Sequence, residues 1–250
     1  MMTGADLLPV IARPDAAVST FSEWTTGTAE RQHAAFDAAI EAWADRARPE
    51  GMLSYTCFLS TDGSTLRHHT QWTDDDARRR FWRAESLEAA PTRLAESQVA
   101  PVRTIDEVVP GIERDGLAVY DLYRSHLAAG PAPSTGCVVI VTIDFEGPDR
   151  HRQAHWVDTV VTALETEPEA TPGLIAAHFH RSIDGTKVVN YAEWTSEQAH
   201  HDALDQGADG LAQTDRPEWR RVAEFAGVTD NTNIKGYLEH RSLSVAAITS

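Results

Sequence analysis

Residues Gly173–Thr195 read GLIAAHFHRSIDGTKVVNYAEWT, and Gly51–Thr73 read GMLSYTCFLSTDGSTLRHHTQWT. The two stretches share their first Gly, their Asp-Gly pair and their final Trp-Thr at one constant separation of 122 residues, the distance from Gly51 to Gly173. An Asp-Gly pair between two β-rich runs is a strong signal for a β-hairpin. A repeat this long exceeds a solenoid unit and suits a small domain, so it predicts two copies of one domain in a single chain.

Each hairpin lies within the same predicted order of elements. Apolar and β-branched runs predict strands, and apolar residues three and four apart predict helices. In the second copy the predicted segments are 137–143, helix 151–167, 174–181, 187–194, a helix from 195, helix 217–225, and 234–245. In the first copy they are 18–24, helix 28–47, 52–59, 66–72, a helix over 73–82, and 116–126. This order predicts an α+β fold of tandem ferredoxin-like β-α-β-β-α-β repeats.

The repeats set the predicted domain boundaries. The first domain covers 14–127, a Gly/Pro/Ser-rich linker covers 128–135, and the second domain covers 136–250, with 1–13 as an unassigned extension. The net charge of −16 argues against nucleic acid and anionic membrane surfaces as partners. Two cysteines, the absence of a signal-peptide pattern and the absence of a long apolar run favour a cytoplasmic protein.

Hairpin pairing predicts which side chains share a face of the sheet. With Asp184 and Gly185 as the loop, Phe179 pairs with Asn190 and Ile175 pairs with Trp194. The predicted face of the second copy carries Ile175, Ala177, Phe179, Val188, Asn190, Ala192 and Trp194, and that of the first carries Leu53, Tyr55, Cys57, Leu59, Leu66, His68, Thr70 and Trp72. An apolar floor with a few polar groups is typical of a small-molecule site.

The run Asp-Gly-Thr-x-Val-Val-Asn-Tyr-Ala-x-Trp, 184–194, resembles the antibiotic biosynthesis monooxygenase family. The resemblance is closer over 170–245 and looser over 18–126. It implies an intramolecular dimeric α+β barrel and O₂-dependent oxidation of polycyclic aromatic polyketides, without a metal or a tightly bound prosthetic group. It also implies catalytic roles for Asn190 and Trp194.

The tandem form is also similar to oxygenases that open or contract the B ring of angucyclines in the jadomycin, gilvocarcin and kinamycin pathways. That similarity rests on size and duplication. It implies an angucycline-like substrate, oxidative C–C bond cleavage, and reduced flavin supplied by a separate reductase. The chain would be a monomer with an internal pseudo-dimer, or a homodimer of it.

Several side chains have both a structural and a functional interpretation. In the first copy, His68 stands where Asn190 stands in the second. It is either a general base or a core histidine. Trp72 is pocket lining or core, and Cys57 is predicted to be an inert buried thiol in the substrate-binding face. His178 and His180 lie two residues apart with Glu193 nearby, but no third ligand follows at the spacing of a metal site. No metal is therefore predicted. The haem-degrading relatives of the family that this chain resembles carry an Asn on the first strand, where this chain has Thr142 and Asp144, so the resemblance disfavours a haem site. His200-His201-Asp202 is predicted to be a solvated helix face.

Three functions remain open from the sequence. The first is an oxygenase that uses Asn190, Trp194 and His68 as catalytic residues, with Trp72, Tyr55, Cys57, Ile175, Ala177 and Phe179 binding the substrate. The second is a non-catalytic small-molecule-binding module, since fold does not fix function. The third is a polyketide cyclase or isomerase that uses acid/base chemistry alone.

Overall fold

The computed structural model describes most of the chain, and its elements follow the predicted order. The described residues are 3–5, 8–44, 47–88, 105–130, 133–205, 216–230 and 232–244. Parts of three predicted segments lie outside them, at 45–46 of the first helix, 131–132 of the linker and 245 of the last strand. None of the described helices is long and apolar enough to cross a membrane.

Contacts between residues divide the chain into two compact units. The first unit is 1–118 with 239–250, and the second is 119–238. The predicted domain boundary at the 128–135 linker follows the sequence repeat and stays a prediction. The strand Ala118–Leu127 ends the first repeat, yet most of its residues belong to the second unit.

The first unit is an antiparallel sheet with helices. Its elements are β1 Thr3–Ala5, β2 Val18–Thr25, α1 Ala29–Ala44, β3 Met52–Ser60, β4 Thr65–Trp72, α2 Asp75–Glu88, α3 Ile105–Val108 and β5 Glu113–Arg114. Strand β4 lies between β2 and β3, and β5 pairs with the end of β2. The first unit therefore places the predicted hairpin, β3–β4, beside the first strand of its repeat.

The second unit contains the remaining strands and helices. Its elements are β6 Ala118–Leu127, β7 Cys137–Asp144, α4 Arg150–Thr166, a 3₁₀ turn Pro168–Ala170, β8 Leu174–Ser182, β9 Lys187–Trp194, α5 Glu197–Asp205, α6 Pro217–Ala223 and β10 Asn233–Ser244. The antiparallel order is β6-β8-β9-β7-β10. The last residues of β10, from 239 onward, belong to the first unit, where they pair with β1. The first and third strands of the repeat, β7 and β9, are neighbours, as a ferredoxin-like unit requires.

One buried glutamine joins helix to hairpin in each unit. In the second unit, Gln153 donates from Nε2 to Ser182 Oγ at 3.0 Å and to the Lys187 carbonyl at 2.6 Å. In the first unit, Gln32 donates to Ser60 Oγ at 3.1 Å in the same way. Because a buried amide must find hydrogen-bond partners, this contact fixes the first helix over the start of the hairpin loop.

Candidate functional site

The hairpin register of the second unit agrees with the prediction near the middle of the strands. Phe179 pairs with Asn190, and Ala177 pairs with Ala192. These side chains therefore share one face of the sheet, the face covered by α4.

The predicted pairing of Ile175 with Trp194 is wrong. A β-bulge between Leu174 and Ala176 puts Leu174 opposite Trp194. The bulge inserts one extra residue into β8, so the pattern of alternation slips at that point. The first unit has the matching bulge between Met52 and Ser54, which puts Met52 opposite Trp72. The repeat thus includes an irregularity that the pattern of letters did not reveal.

A largely apolar cavity lies between this sheet face and the helices α4, α5 and α6. Its empty volume is about 890 Å³, including the part open to solvent. Four of the predicted site residues line it: Ala177, Phe179, Asn190 and Trp194. Ile175 is not among the lining residues, and Leu174 is. The rest of the wall is largely aliphatic and aromatic and includes Val139, Val141, Trp156, Val160, Leu164, Ala192, His200 and Trp219.

Three polar atoms of lining side chains are buried without a hydrogen-bond partner among the described residues. They are Asn190 Oδ1, Trp194 Nε1 and Trp219 Nε1. An unpaired buried donor or acceptor costs about 1–3 kcal/mol. Because an amide both accepts and donates, while an indole N–H only donates, these atoms suit a ligand that carries hydroxyl and carbonyl oxygens.

His200 lines the cavity. Its predicted position on a solvated helix face is therefore wrong. His200 is only 8% exposed, and its ring meets that of Trp194 edge-on at 5.1 Å. Burial, and secondarily the neighbouring His201, lowers the pKa of His200 to about 4, so its imidazole is neutral at pH 7. The spacing of His200 with Ala203 and Leu204 on α5 is the signal that would have found it. His201 and Asp202 are exposed, as predicted.

In the first unit, Tyr55 stands at the place that Ala177 takes in the second. Tyr55 pairs with Thr70, and Cys57 pairs with His68, so His68 is the counterpart of Asn190, as predicted. The Tyr55 hydroxyl lies 2.8 Å from His68 Nδ1, and the Tyr55 ring stacks on Trp43 at 4.9 Å. A fully buried phenol therefore occupies the space that is open beside Ala177.

Burial controls the titration of this first-unit cluster. Burial, helped by the charges of Arg67 and Arg114, lowers the pKa of His68 to about 3. Burial raises the pKa of the Tyr55 phenol well above its usual value. It also raises the pKa of the Cys57 thiol, as predicted for an inert cysteine. Each of these groups is therefore neutral at pH 7.

The two hairpin tryptophans differ in their surroundings. Trp72 has no exposed surface and donates its indole N–H to Thr70 Oγ1 at 2.7 Å. Trp194 has no such partner within the described residues, since Ala192 stands where Thr70 stands in the first unit. The donor of Trp72 is therefore satisfied within the protein, whereas that of Trp194 remains for a ligand.

The residues weighed as metal or haem ligands do not converge. His178 lies 2.8 Å from Ser125 Oγ through Nδ1, and Glu193 accepts from Thr135 Oγ1 at 2.8 Å. Asp144 forms an ion pair with Lys187 at 2.9 Å. Within the described ranges, no three His, Cys, Asp or Glu side chains form a group suited to a metal ion.

Comparison with known proteins points to the same half of the chain. Residues 138–210 match the family model described as antibiotic biosynthesis monooxygenase. This segment contains most of the cavity wall, including Asn190, Trp194 and His200.

Two individual proteins show the extent of the similarity. The tetracenomycin F1 monooxygenase of Streptomyces glaucescens is 36% identical over 66 residues, which cover 26% of this chain and 57% of that protein. The match thus spans little more than half the length of that relative. The crystal structure of an anthrone oxidase-like protein aligns with a TM-score of 0.68 at 20% identity, over 96% of this chain and 100% of that one. This likeness of fold confirms the predicted α+β class with tandem ferredoxin-like repeats.

Proposed function

We propose that the second unit is an oxygenase that oxidises a polycyclic aromatic phenol or hydroquinone of polyketide origin with O₂. The observation that carries the proposal is the apolar cavity with the unpaired Asn190 Oδ1 and Trp194 Nε1. The similarity of residues 138–210 to the antibiotic biosynthesis monooxygenase model supports this chemistry. So does the similarity to a protein named tetracenomycin F1 monooxygenase.

The reaction balances without an external reductant. A phenol with a free ring position reacts with one O₂ to give a quinone and one water, and a ring methylene gives a carbonyl and one water in the same way. The phenolate donates one electron to O₂, the resulting radicals combine to form a C–O bond, and the peroxide then loses water to leave C=O. One oxygen atom ends in the product and the other in water.

The cavity residues have distinct tasks in this proposal. Asn190 binds the phenolic oxygen through its amide, and Trp194 donates to a ring oxygen while walling off water. His200 lines the cavity with a neutral imidazole, which can accept a hydrogen bond from the phenolic O–H. The apolar wall excludes water from the intermediate peroxide. Trp72, Tyr55 and Cys57 belong to the first unit, where Tyr55 fills the matching space, so we propose that only the second unit turns over.

The narrower predictions remain part of this proposal. An angucycline-like substrate, oxidative C–C cleavage and a partner flavin reductase are consistent with an uncharged, mostly apolar wall. Cleavage by oxygen insertion needs two electrons from outside the substrate, whereas quinone formation needs none. Reduced flavin would supply these two electrons. The absence of a metal, the cytoplasmic location, the monomer or homodimer alternatives and the exclusion of nucleic acid and membrane also stay predictions.

An oxygen electrode tests the proposal. The wild-type protein is given a polycyclic phenol or anthrone, aerobically and anaerobically, with and without reduced flavin and a reductase. We expect uptake of one O₂ per quinone formed. Asn190→Leu should lower the rate by about 10²–10³, a loss typical of one polar group that stabilises developing charge. His68→Gln, in the first unit, should leave the rate near that of the wild type.

The outcomes separate the three functions. Binding of the phenol without O₂ uptake would indicate a non-catalytic module, and product formation under anaerobic conditions would indicate a cyclase or isomerase. Equal effects of the two substitutions on O₂ uptake would contradict the assignment to the second unit. Thermal unfolding of both variants is measured alongside, because removal of a buried polar group can destabilise the protein by about 1–3 kcal/mol.

A further inference from the structure

Trp219 on α6 has a buried polar atom that neither the fold nor the proposed reaction uses. The side chain is 8% exposed and lines the cavity. Its Nε1 has no hydrogen-bond partner among the described residues. The sequence predicts only a short helix around Trp219, and the structure shows Trp219 and Val222 buried on its inner face.

Another buried tryptophan of this chain has its donor satisfied by the protein. Trp72 is more deeply buried than Trp219 and donates its indole N–H to a threonine hydroxyl. Buried tryptophans generally find a partner for this group, because leaving it unpaired gives up the hydrogen bond that water provides in the unfolded chain. A donor left over in the wall of a cavity therefore indicates an acceptor on the ligand.

Two such donors line the cavity, and they come from different elements. Trp194 is the last residue of β9, on the sheet, and Trp219 lies on α6, among the helices that cover it. An indole N–H only donates, so each indole needs an acceptor on the ligand. One oxygen has two lone pairs and serves both donors only where they converge on it, and these two donors come from the sheet and from a covering helix. A ligand with oxygens on two edges can pair with both.

We infer that Trp219 is a second hydrogen-bond donor to the ligand, and that the cavity selects neutral fused-ring molecules with acceptor oxygens on two edges. This inference rests on the proposed function, because it narrows the substrate class of the same site. Trp194 holds the oxygen near Asn190, and Trp219 holds the oxygen at another edge. Para-oxygenated rings of the quinone and hydroquinone type have this arrangement, whereas rings with a single oxygenated edge do not.

The lining of the cavity is consistent with a neutral ligand. No Asp, Glu, Lys or Arg lines the cavity within the part of the chain that the structure describes. A carboxylate in such surroundings would lack a countercharge and would be costly to desolvate. Carbonyl and hydroxyl oxygens need only the donors and acceptors that the wall provides.

Binding of two probes that are already oxidised tests the inference without turnover. The first is a dihydroxyanthraquinone, with carbonyls on two edges, and the second is 1-hydroxyfluorenone, a tricycle whose carbonyl and hydroxyl share one edge. Affinities are measured by equilibrium dialysis for the wild type, Trp219→Phe and Trp43→Phe. Phe keeps an aromatic ring and removes the N–H, and Trp43 belongs to the first unit.

We expect Trp219→Phe to weaken the anthraquinone about three- to tenfold, as the loss of one neutral hydrogen bond does, and to change fluorenone binding by less than about twofold. Trp43→Phe should change neither affinity. An equal loss for both probes would show that Trp219 only packs against the ligand, and no loss for either would show that its N–H does not meet an oxygen. Either result overturns the inference.

The same variants separate this inference from the proposed function. If the wild type takes up O₂ and Trp219→Phe binds both probes as the wild type does, the inference fails and the oxygenase proposal stands. If Trp219→Phe weakens binding of the anthraquinone but not of the fluorenone, and no substrate gives O₂ uptake, then Trp194 and Trp219 stand as two donors to the ligand and the oxygenase proposal fails.

Discussion

Ala177→Tyr copies into the second unit the side chain that fills the first. In the first unit, the Tyr55 hydroxyl lies 2.8 Å from His68, which is the counterpart of Asn190. Both hairpins have the same register at this point, so a tyrosine at 177 should bring its hydroxyl to Asn190. The variant thus carries a tethered phenol at the place where the proposed substrate binds.

The expected loss of binding follows from two terms. The substrate loses its hydrogen bond to Asn190, worth about 0.5–1.5 kcal/mol. It must also overlap a ring packed into the cavity, and overpacking costs about 1–3 kcal/mol. The total of roughly 1.5–4.5 kcal/mol corresponds to binding that is about 10- to 2000-fold weaker.

Stability should move in the opposite direction. The new ring fills space that already exists and gives Asn190 Oδ1 a partner, and filling a cavity commonly stabilises a protein by about 0.5–2 kcal/mol. The melting temperature of Ala177→Tyr should therefore equal or exceed that of the wild type. Ala177→Phe fills the same space without the hydroxyl, so it should weaken binding by the overlap alone, about 1–3 kcal/mol, and melt at a lower temperature than the tyrosine variant.

The assay combines equilibrium dialysis of a dihydroxyanthraquinone with O₂ uptake on a polycyclic phenol. The affinity for the anthraquinone and the rate of O₂ uptake should both be lower in Ala177→Tyr than in the wild type. A variant that melts normally yet binds and oxidises at wild-type levels would refute the reasoning, because the cavity beside Ala177 would then not be the site.

Three further outcomes follow from buried polar groups. Tyr55→Phe should lower the free energy of unfolding by about 1–3 kcal/mol in chemical denaturation, because it leaves His68 Nδ1 without its partner, while O₂ uptake stays unchanged. Gln153→Leu should destabilise by a similar or larger amount, since it removes donations to Ser182 and to the adjoining strand, and Gln153→Glu should not restore them. Because the folded-state pKa of His200, about 4, is below its unfolded value, the unfolded chain binds the proton first as pH falls from about 6.5 to 4, and stability declines. His200→Gln should reduce that decline by up to about 1.4 kcal/mol per pH unit, and an unchanged pH profile would contradict the burial of the imidazole.

The repeat made most of the fold predictable from the letters alone. The Asp-Gly pairs fixed the hairpin registers, so the pairings of Ala177 with Ala192 and of Phe179 with Asn190 were predicted and are observed. These are local properties, because the alternation of side chains along a strand follows directly from the backbone. The bulge beside Ile175 was missed, since no residue type in that stretch distinguishes an extra residue from regular alternation.

The sequence by itself determined that this chain is a duplicated α+β protein with one face of each hairpin suited to packing or to binding. Only the tertiary structure decided which face is filled and which is open. Tyr55 and Ala177 look like ordinary strand residues, and their contrast matters because helices close over both faces at long sequence separation. The same holds for Trp219, whose helix α6 is separated along the chain from the strands of the cavity wall by α5 and the segment after it. Burial, and with it the unpaired N–H and the neutral imidazole, is a property of packing, and packing is set by distant segments rather than by neighbouring letters.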